Sequence, residues 1–255
     1  MNNFKAKVLE SAQAAPGIFK IKFSAPALAA GAKPGRFLEV LCTGPNAPFL
    51  RRPFGIHDVE GGAVYFIFKK TGRGTELLSN LKPGDFIDVT APLGNGFEIQ
   101  KTKEHLLAAG GMGAAPLLLL ARRIKESGQT CKIFLAARAG AEIICADEFK
   151  KYGEVFISAE DGAKGEKCMI DAPLERALKE AKNAALYACG SVGMLRCVAG
   201  LGAKYKVNTQ VSLEEKMACG MGVCQGCPVE VKNKDTKYKM VCKDGPVFNA
   251  EDIVW

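Results

Sequence analysis

The chain has 255 residues, enough for two or more domains, and its 48% hydrophobic and 24% charged content excludes a disordered or fibrous protein. The net charge is +8, yet residues 209–255 carry six Lys/Arg against seven Asp/Glu, so the excess lies upstream, where it suits anionic cofactors. No basic cluster is interleaved with aromatics, which argues against nucleic acid as the partner.

The opening MNNFKAKVLESAQ has no apolar signal-peptide core. The longest apolar stretch, Leu106 to Ala121, is interrupted by Gly110, Gly111, Gly113 and Pro116, too broken for a membrane span. A reducing cytoplasm is the expected location, with Cys42, Cys131, Cys145, Cys168, Cys189 and Cys197 as thiols.

From residue 4 to about 98, β-rich runs of strand length follow one another: FKAKVLES, IFKIKFS, RFLEVLC, AVYFIFKK and DFIDVTA. Turns built on Gly or Pro separate them (APG, KPG, TGPNAP, EGG, KPG), and the rhythm predicts an antiparallel barrel or sandwich. In this stretch RRPFGI (51–56) leads into a strand. GRGTELL (72–78) is a glycine turn followed by a helix start, with Thr75 as the expected N-cap. A phosphate would find free N–H groups there, although the same run serves equally well as an ordinary helix cap.

After APLGNGF the pattern changes. HLLAAG, CKIFLAAR, EVFISAED and ALYACG are apolar strands, with helices expected at 114–127 and near 142–151, 172–182 and 191–203. Alternation of strands with helices predicts a parallel α/β sheet. AAGGMGAAP (108–116) lies between a buried strand and a helix, the right context for a dinucleotide pyrophosphate. It is not the full G-x-G-x-x-G fingerprint, and it lacks a Walker lysine. YACGSVGM (187–194) forms a second strand-to-helix turn, with Cys189 and Gly190 where open α/β sheets bind ligands. Arg138, past the second α/β strand, would meet a 2′-phosphate or merely cap a sheet edge.

From about 209 a glycine-rich cysteine module begins. Cys219, Cys224, Cys227 and Cys242 follow C-x4-C-x2-C and then a fourth cysteine after fourteen residues. Three thiolates on one loop and a fourth from a nearby strand can surround two irons and two sulfides, the plant-type [2Fe–2S] spacing. Zinc sites more often pair two C-x2-C knuckles, and the second knuckle is missing. Neither His57 nor His105 sits in a metal-ligand spacing, and no Ser/His/Asp or paired-carboxylate arrangement stands out. No catalytic residue is assigned.

Barrel, dinucleotide domain and cysteine module in this order resemble the ferredoxin reductase superfamily. Nearly the whole length is similar to the electron-transfer subunits of NAD-linked type B dihydroorotate dehydrogenases. RRPFGI, GRGT, PLGNGF, AAGGMGAAP, YACG and above all 213–255 carry the similarity. The resemblance implies an FAD-binding β-barrel (1–98), an NAD-binding α/β domain (99–208) and a [2Fe–2S] module (209–255). It also implies that electrons pass from the FMN of a catalytic partner subunit, which oxidises dihydroorotate to orotate in pyrimidine biosynthesis, through cluster and FAD to NAD+. The implied assembly is a heterotetramer of two plus two.

Residue by residue, Arg52, Pro53, Phe54 and Gly55 match the superfamily's R-x-Y-[ST] flavin segment. Ile67, Phe68 and Lys69 match the next flavin-contacting strand, and Gly74 with Thr75 the pyrophosphate turn. Gly111, Gly113, Cys189 and Gly190 fall to NAD. Phe54 lacks the usual tyrosine hydroxyl, and Gly55 replaces the usual Ser/Thr. Two other readings are a subunit of a sulfhydrogenase or ferredoxin:NADP oxidoreductase, and, in another class, a zinc-stabilised nucleotide-binding regulatory module.

Overall fold

The computed structural model describes residues 1–233 and 235–255. The N-terminal part holds β1 (Asn2–Ala15), β2 (Ile18–Ser24), α1 (Pro26–Ala30), β3 (Phe37–Leu41), β4 (Arg52–Gly55), β5 (Asp58–Glu60), β6 (Ala63–Lys69), α2 (Arg73–Ser79) and β7 (Phe86–Leu93). The strands form one antiparallel sheet in the order β4-β3-β7-β1-β2-β6-β5. β1 is long enough to serve both sides: Asn2–Lys7 pair with β7, and Val8 onward with β2 across an irregularity after Val8. That bend curls the sheet until its two ends meet. Phe54 of β4 stacks on Phe66 of β6 at 4.9 Å, and alternating side chains such as Val8, Ile21, Phe23, Leu38, Val40 and Val89 fill the interior. The five long strands follow the sequence pattern. β4, β5 and α1 do not announce themselves, because three to five residues are too few to show a period.

The second part comprises β8 (Glu104–Gly110), α3 (Ala114–Glu126), β9 (Cys131–Ala137), α4 (Ala146–Phe149), β10 (Glu154–Ala159), α5 (Asp171–Glu180), β11 (Ala184–Cys189), α6 (Val192–Lys204) and β12 (Asn208–Ser212). The sheet order is β10-β9-β8-β11-β12-β15, parallel except for β15 (Val247–Asn249), which pairs antiparallel with β12. Helices cover both faces. Leu107 and Ala109 pack with α3, while Leu106 and Ala108 pack with α5 and α6, as a strand buried on both sides requires. The order reverses between β8 and β11, so their C-terminal ends open a crevice at a topological switch point.

The last part contains β13 (Pro228–Glu230), β14 (Tyr238–Met240), α7 (Val241–Asp244) and β15. The 208/209 division falls within β12, so the parallel sheet runs into the cysteine module, and β15 returns from the module to the sheet edge. Asn95, in the loop after β7, fastens the barrel to this module. Its amide donates to the Asp244 and Val247 carbonyls, its Oδ1 accepts from Val247 N–H, and its own N–H donates to Gly245 O.

His105 in β8 is fully buried, its ring stacked on Tyr187 at 5.8 Å. Burial holds its pKa below the ordinary 6.5, with Gln129 acting weakly the other way. The native imidazole therefore binds fewer protons than the unfolded one, and stability is lost as pH falls below the unfolded value of 6.5. His105→Phe keeps the stack and removes the titration. Urea unfolding at pH 7 and pH 5 should show wild type losing up to about 2 kcal/mol more than the variant. Equal losses in the two proteins would refute this.

Candidate functional site

Arg52, Pro53, Phe54, Gly55, Ile67, Phe68, Lys69, Gly74 and Thr75, drawn from three separate segments, line one cavity of about 520 Å³. Its far wall comes from elsewhere: Met112 of the β8–α3 turn, Ala115 and Pro116 at the start of α3, Cys189, Ser212 at the end of β12, and Leu213, Glu214, Glu215 and Met217 after it. The two adjacent arginines separate in role. Arg51 donates to the Asp88 carboxylate at 2.8 Å and to its carbonyl, whereas Arg52 bonds only the Leu50 and Arg51 carbonyls. Among the described residues Arg52 has no carboxylate partner. Its Nε lies 3.2 Å from where a Cβ on Gly74 would be, so any side chain at 74 would crowd the guanidinium.

Thr75 is not the N-cap of α2. Gly72 holds that place, and Thr75, three residues on, reaches back to accept from Thr71 and Gly72 N–H. The helix begins earlier than the threonine suggests because glycine caps through its backbone alone. Arg73, Gly74 and Thr75, the first turn of α2, line the cavity together with Arg52, and a helix start beside an arginine suits an anionic pyrophosphate.

The two departures in the flavin segment have structural counterparts. Phe54 packs against Phe66 and Phe68, with centroids at 4.9 and 5.6 Å, in place of a phenol hydrogen bond. At Gly55 a Cβ would lie 2.9 Å from Pro116 Cβ, so Ser or Thr would collide with α3.

Gly111, Gly113, Cys189 and Gly190 come together across the switch point. A Cβ on Gly113 would fall 2.1 Å from the Cys189 carbonyl, so the two turns touch through glycine. Gly111 lines a second cavity of about 500 Å³ with Arg138, Glu160, Ser191 and Met194 at the strand ends. Gly113 and Gly190 line neither cavity; they set the turn-to-turn spacing. Burial pushes the Cys189 thiol far above its ordinary range, and it stays neutral. Ser191 caps α6 by accepting from Met194 N–H.

The four cysteines converge. Cys224 N–H faces Cys219 Sγ at 3.4 Å, Gly222 N–H faces Cys242 Sγ at 3.1 Å, and Cys242 N–H faces Cys227 Sγ at 3.5 Å. Cys242 stands on α7 and not on a strand, because β14 ends at Met240 and the chain turns as Met240 N–H bonds Asp244. Burial opposes ionisation of Cys219, but N–H groups of Cys224, Met221 and Val223 outweigh it and draw the thiol down to about 6. Burial beside Cys227 pushes Cys242 up to about 12.

Glu39 escaped the sequence reading. It is 1% exposed, its Oε1 has no partner among the described residues, and its carboxyl abuts the cluster loop. Gly220 is left-handed (φ +64°), and a Cβ there would fall 2.5 Å from that carboxylate. Burial, then Cys219, raises the Glu39 pKa to about 7 against the pull of Arg51. Nothing in the local sequence distinguishes Glu39 from other strand glutamates.

Comparison with known proteins agrees with this layout. The iron-sulfur cluster binding domain of dihydroorotate dehydrogenase B matches residues 214–254, and the oxidoreductase NAD-binding domain matches residues 107–200. The dihydroorotate dehydrogenase B (NAD+) electron transfer subunit of Caldanaerobacter subterraneus subsp. tengcongensis is 38% identical over 98% of both chains. That of Desulforamulus reducens is 37% identical over 99% of this chain and 98% of its own. An NADH-dependent reduced ferredoxin-NADP oxidoreductase structure superposes with TM-score 0.86 at 27% identity, covering 98% of this chain and 90% of the other. Phthalate dioxygenase reductase, at 18% identity and TM-score 0.65 over 98% and 77%, shares the fold. Among the described residues no helix is long and apolar enough to cross a membrane. With more than a third of its residues identical to these subunits along nearly its full length, the chain belongs to the family of dihydroorotate dehydrogenase B electron transfer subunits.

Proposed function

We propose that this chain is the redox relay of a two-subunit enzyme. Electrons from dihydroorotate oxidation, collected on the FMN of a separate catalytic subunit, pass through a [2Fe–2S] cluster and FAD to NAD+. The observation that carries this reading is continuity: Ser212–Glu215 and Met217 wall the 520 Å³ cavity, and the first of the four cysteines follows two residues later. A nicotinamide exchanges two electrons as a hydride, a cluster passes one at a time, and a flavin does both.

In this reading Arg52, Gly74 and Thr75 hold the FAD pyrophosphate, and Pro53–Gly55 with Ile67–Lys69 flank its ring. Gly111, Gly113, Cys189 and Gly190 shape the NAD crevice, and Cys219, Cys224, Cys227 and Cys242 ligate the cluster. Residues 1–98, 99–208 and 209–255 are the corresponding domains, with β12 and β15 stitching the last two together. Glu214, its pKa raised by burial, stands on the wall of the 520 Å³ cavity, and in this reading the carbon chemistry falls to the partner. The assembly is proposed as two relay and two FMN subunits in the cytoplasm.

Co-expression with an FMN-binding dihydroorotate dehydrogenase subunit tests the proposal. A stable complex that reduces NAD+ with dihydroorotate, carrying about two irons and two sulfides per relay chain, is expected. One zinc per chain without sulfide would sink it in favour of a regulatory module. A complex inactive with dihydroorotate but active with ferredoxin and NADP+ would favour the ferredoxin:NADP oxidoreductase reading, which the similarity at TM-score 0.86 keeps as the runner-up.

A further inference from the structure

His57 follows β4 and is 1% exposed. Two bonds clamp it onto α3: its Nδ1 lies 2.7 Å from the Ala115 carbonyl, and its own carbonyl accepts from Leu119 N–H at 3.1 Å. A carbonyl oxygen only accepts, so Nδ1 carries the hydrogen, and Nε2 is the ring atom left for a metal ion. Nε2 faces Glu148 Oε2 at 3.6 Å. Cys145 Sγ completes the group, and the three donor atoms all lie within 4.8 Å of one another.

Two further features set this cluster apart from an ordinary ion pair. Cys145 holds a left-handed backbone (φ +61°) just before α4, a strained conformation for a residue with a Cβ. The Nδ1–H to carbonyl bond is the arrangement that orients metal-binding histidines and leaves the other nitrogen free to ligate.

We propose that His57 Nε2, Cys145 Sγ and Glu148 Oε2 bind one divalent transition-metal ion of the zinc class. The fourth position falls to water from the adjoining cavity of about 500 Å³, which His57 and Glu148 line. A nitrogen, a sulfur and a single carboxylate oxygen suit zinc or cobalt, whereas calcium and magnesium take oxygen sets. Bonds of about 2.0–2.3 Å place tetrahedral donors about 3.3–3.8 Å apart; the His57–Glu148 pair at 3.6 Å already has that spacing, and the Cys145 sulfur, within 4.8 Å of both, has at most roughly 1 Å to close. Lys20 Nζ holds Glu148 Oε1 at 2.6 Å and leaves Oε2 for the ion. Burial, reinforced by Glu148, keeps the Cys145 thiol protonated beforehand, so the S–H proton is released as the S–metal bond forms.

The site is separate from those already described: none of its three residues lines the flavin cavity or the crevice at the switch point. His57 belongs to the barrel, and Cys145 and Glu148 to the α/β domain, so the ion would tie the two nucleotide-binding domains together. Motif spacing does not reveal it, since His57 and Cys145 are far apart along the chain.

The test is a Co2+ titration of the purified holoprotein, read as a difference spectrum, with iron content followed throughout. One Co2+ per chain with a thiolate-to-cobalt charge-transfer band, displaced by Zn2+, is expected. Cys145→Ala should remove the band, His57→Ala should weaken binding at least tenfold, and Zn2+ should raise the Tm of wild type alone. Absence of the band in the wild-type protein would overturn the site, whether or not the variants fold. So would a band that survives in Cys145→Ala, which would put the ion on other thiols.

Discussion

Replacing Cys224 with alanine is expected to bring dihydroorotate-dependent NAD+ reduction by the two-subunit complex to near zero, while NADH still drives reduction of artificial acceptors. Cys224 is the exposed member of the four, on the glycine-rich loop, and it lines neither the 520 Å³ cavity nor the crevice at the switch point. On the proposed ligand set, removing its sulfur leaves Cys219 and Cys227 on the loop and Cys242 on α7, and loss of the cluster is expected. Hydride exchange at the flavin needs the barrel and the switch-point crevice, whose walls are built by other residues. Ligand binding and loop order are coupled, so Cys219–Cys227 will loosen in the variant, and association with the partner is measured separately by gel filtration. A fully assembled, cluster-free complex that still passes electrons from dihydroorotate to NAD+ would reduce the cysteines to a structural role.

Replacing Arg52 with alanine should release FAD. Arg51 is occupied by Asp88, whereas Arg52 stands beside Gly74 and the start of α2 with only backbone carbonyls as partners. Its charge is therefore available to a pyrophosphate. A charge-assisted hydrogen bond contributes about 1.5–3 kcal/mol, so FAD affinity should fall about 10- to 150-fold. Flavin occupancy after extensive dialysis reads the effect. Arg51→Ala serves as the control, losing the Asp88 pair but keeping its flavin. Full occupancy in the Arg52 variant would show that the pyrophosphate lies elsewhere.

Much of this protein is written in local patterns. Alternating apolar residues and Gly/Pro turns mark the five long barrel strands, because a strand buried on one face and a tight turn are each satisfied within a few residues. The cysteine spacing likewise brings three thiols together, since a glycine-rich loop of nine residues, Cys219–Cys227, cannot carry its sulfurs far apart, while Cys242 is returned to them by the β13–β14 pairing. Glycines at two strand-to-helix turns mark the switch-point crevice.

Contacts between distant segments were decided only in three dimensions. Gly55 stands where a hydroxyl residue is usual because Pro116, sixty residues on, fills the space. Gly220 must lack a side chain because Glu39 of the barrel presses a carboxylate against it. β12 looked like the start of the module but completes the parallel sheet, because its hydrogen-bonding edges are taken by β11 and β15. Arg51 and Arg52 are equivalent as letters and differ only through Asp88. In each case the deciding neighbour is far along the chain, and periodicity, turn chemistry and motif spacing carry no information about which distant surface a side chain will meet.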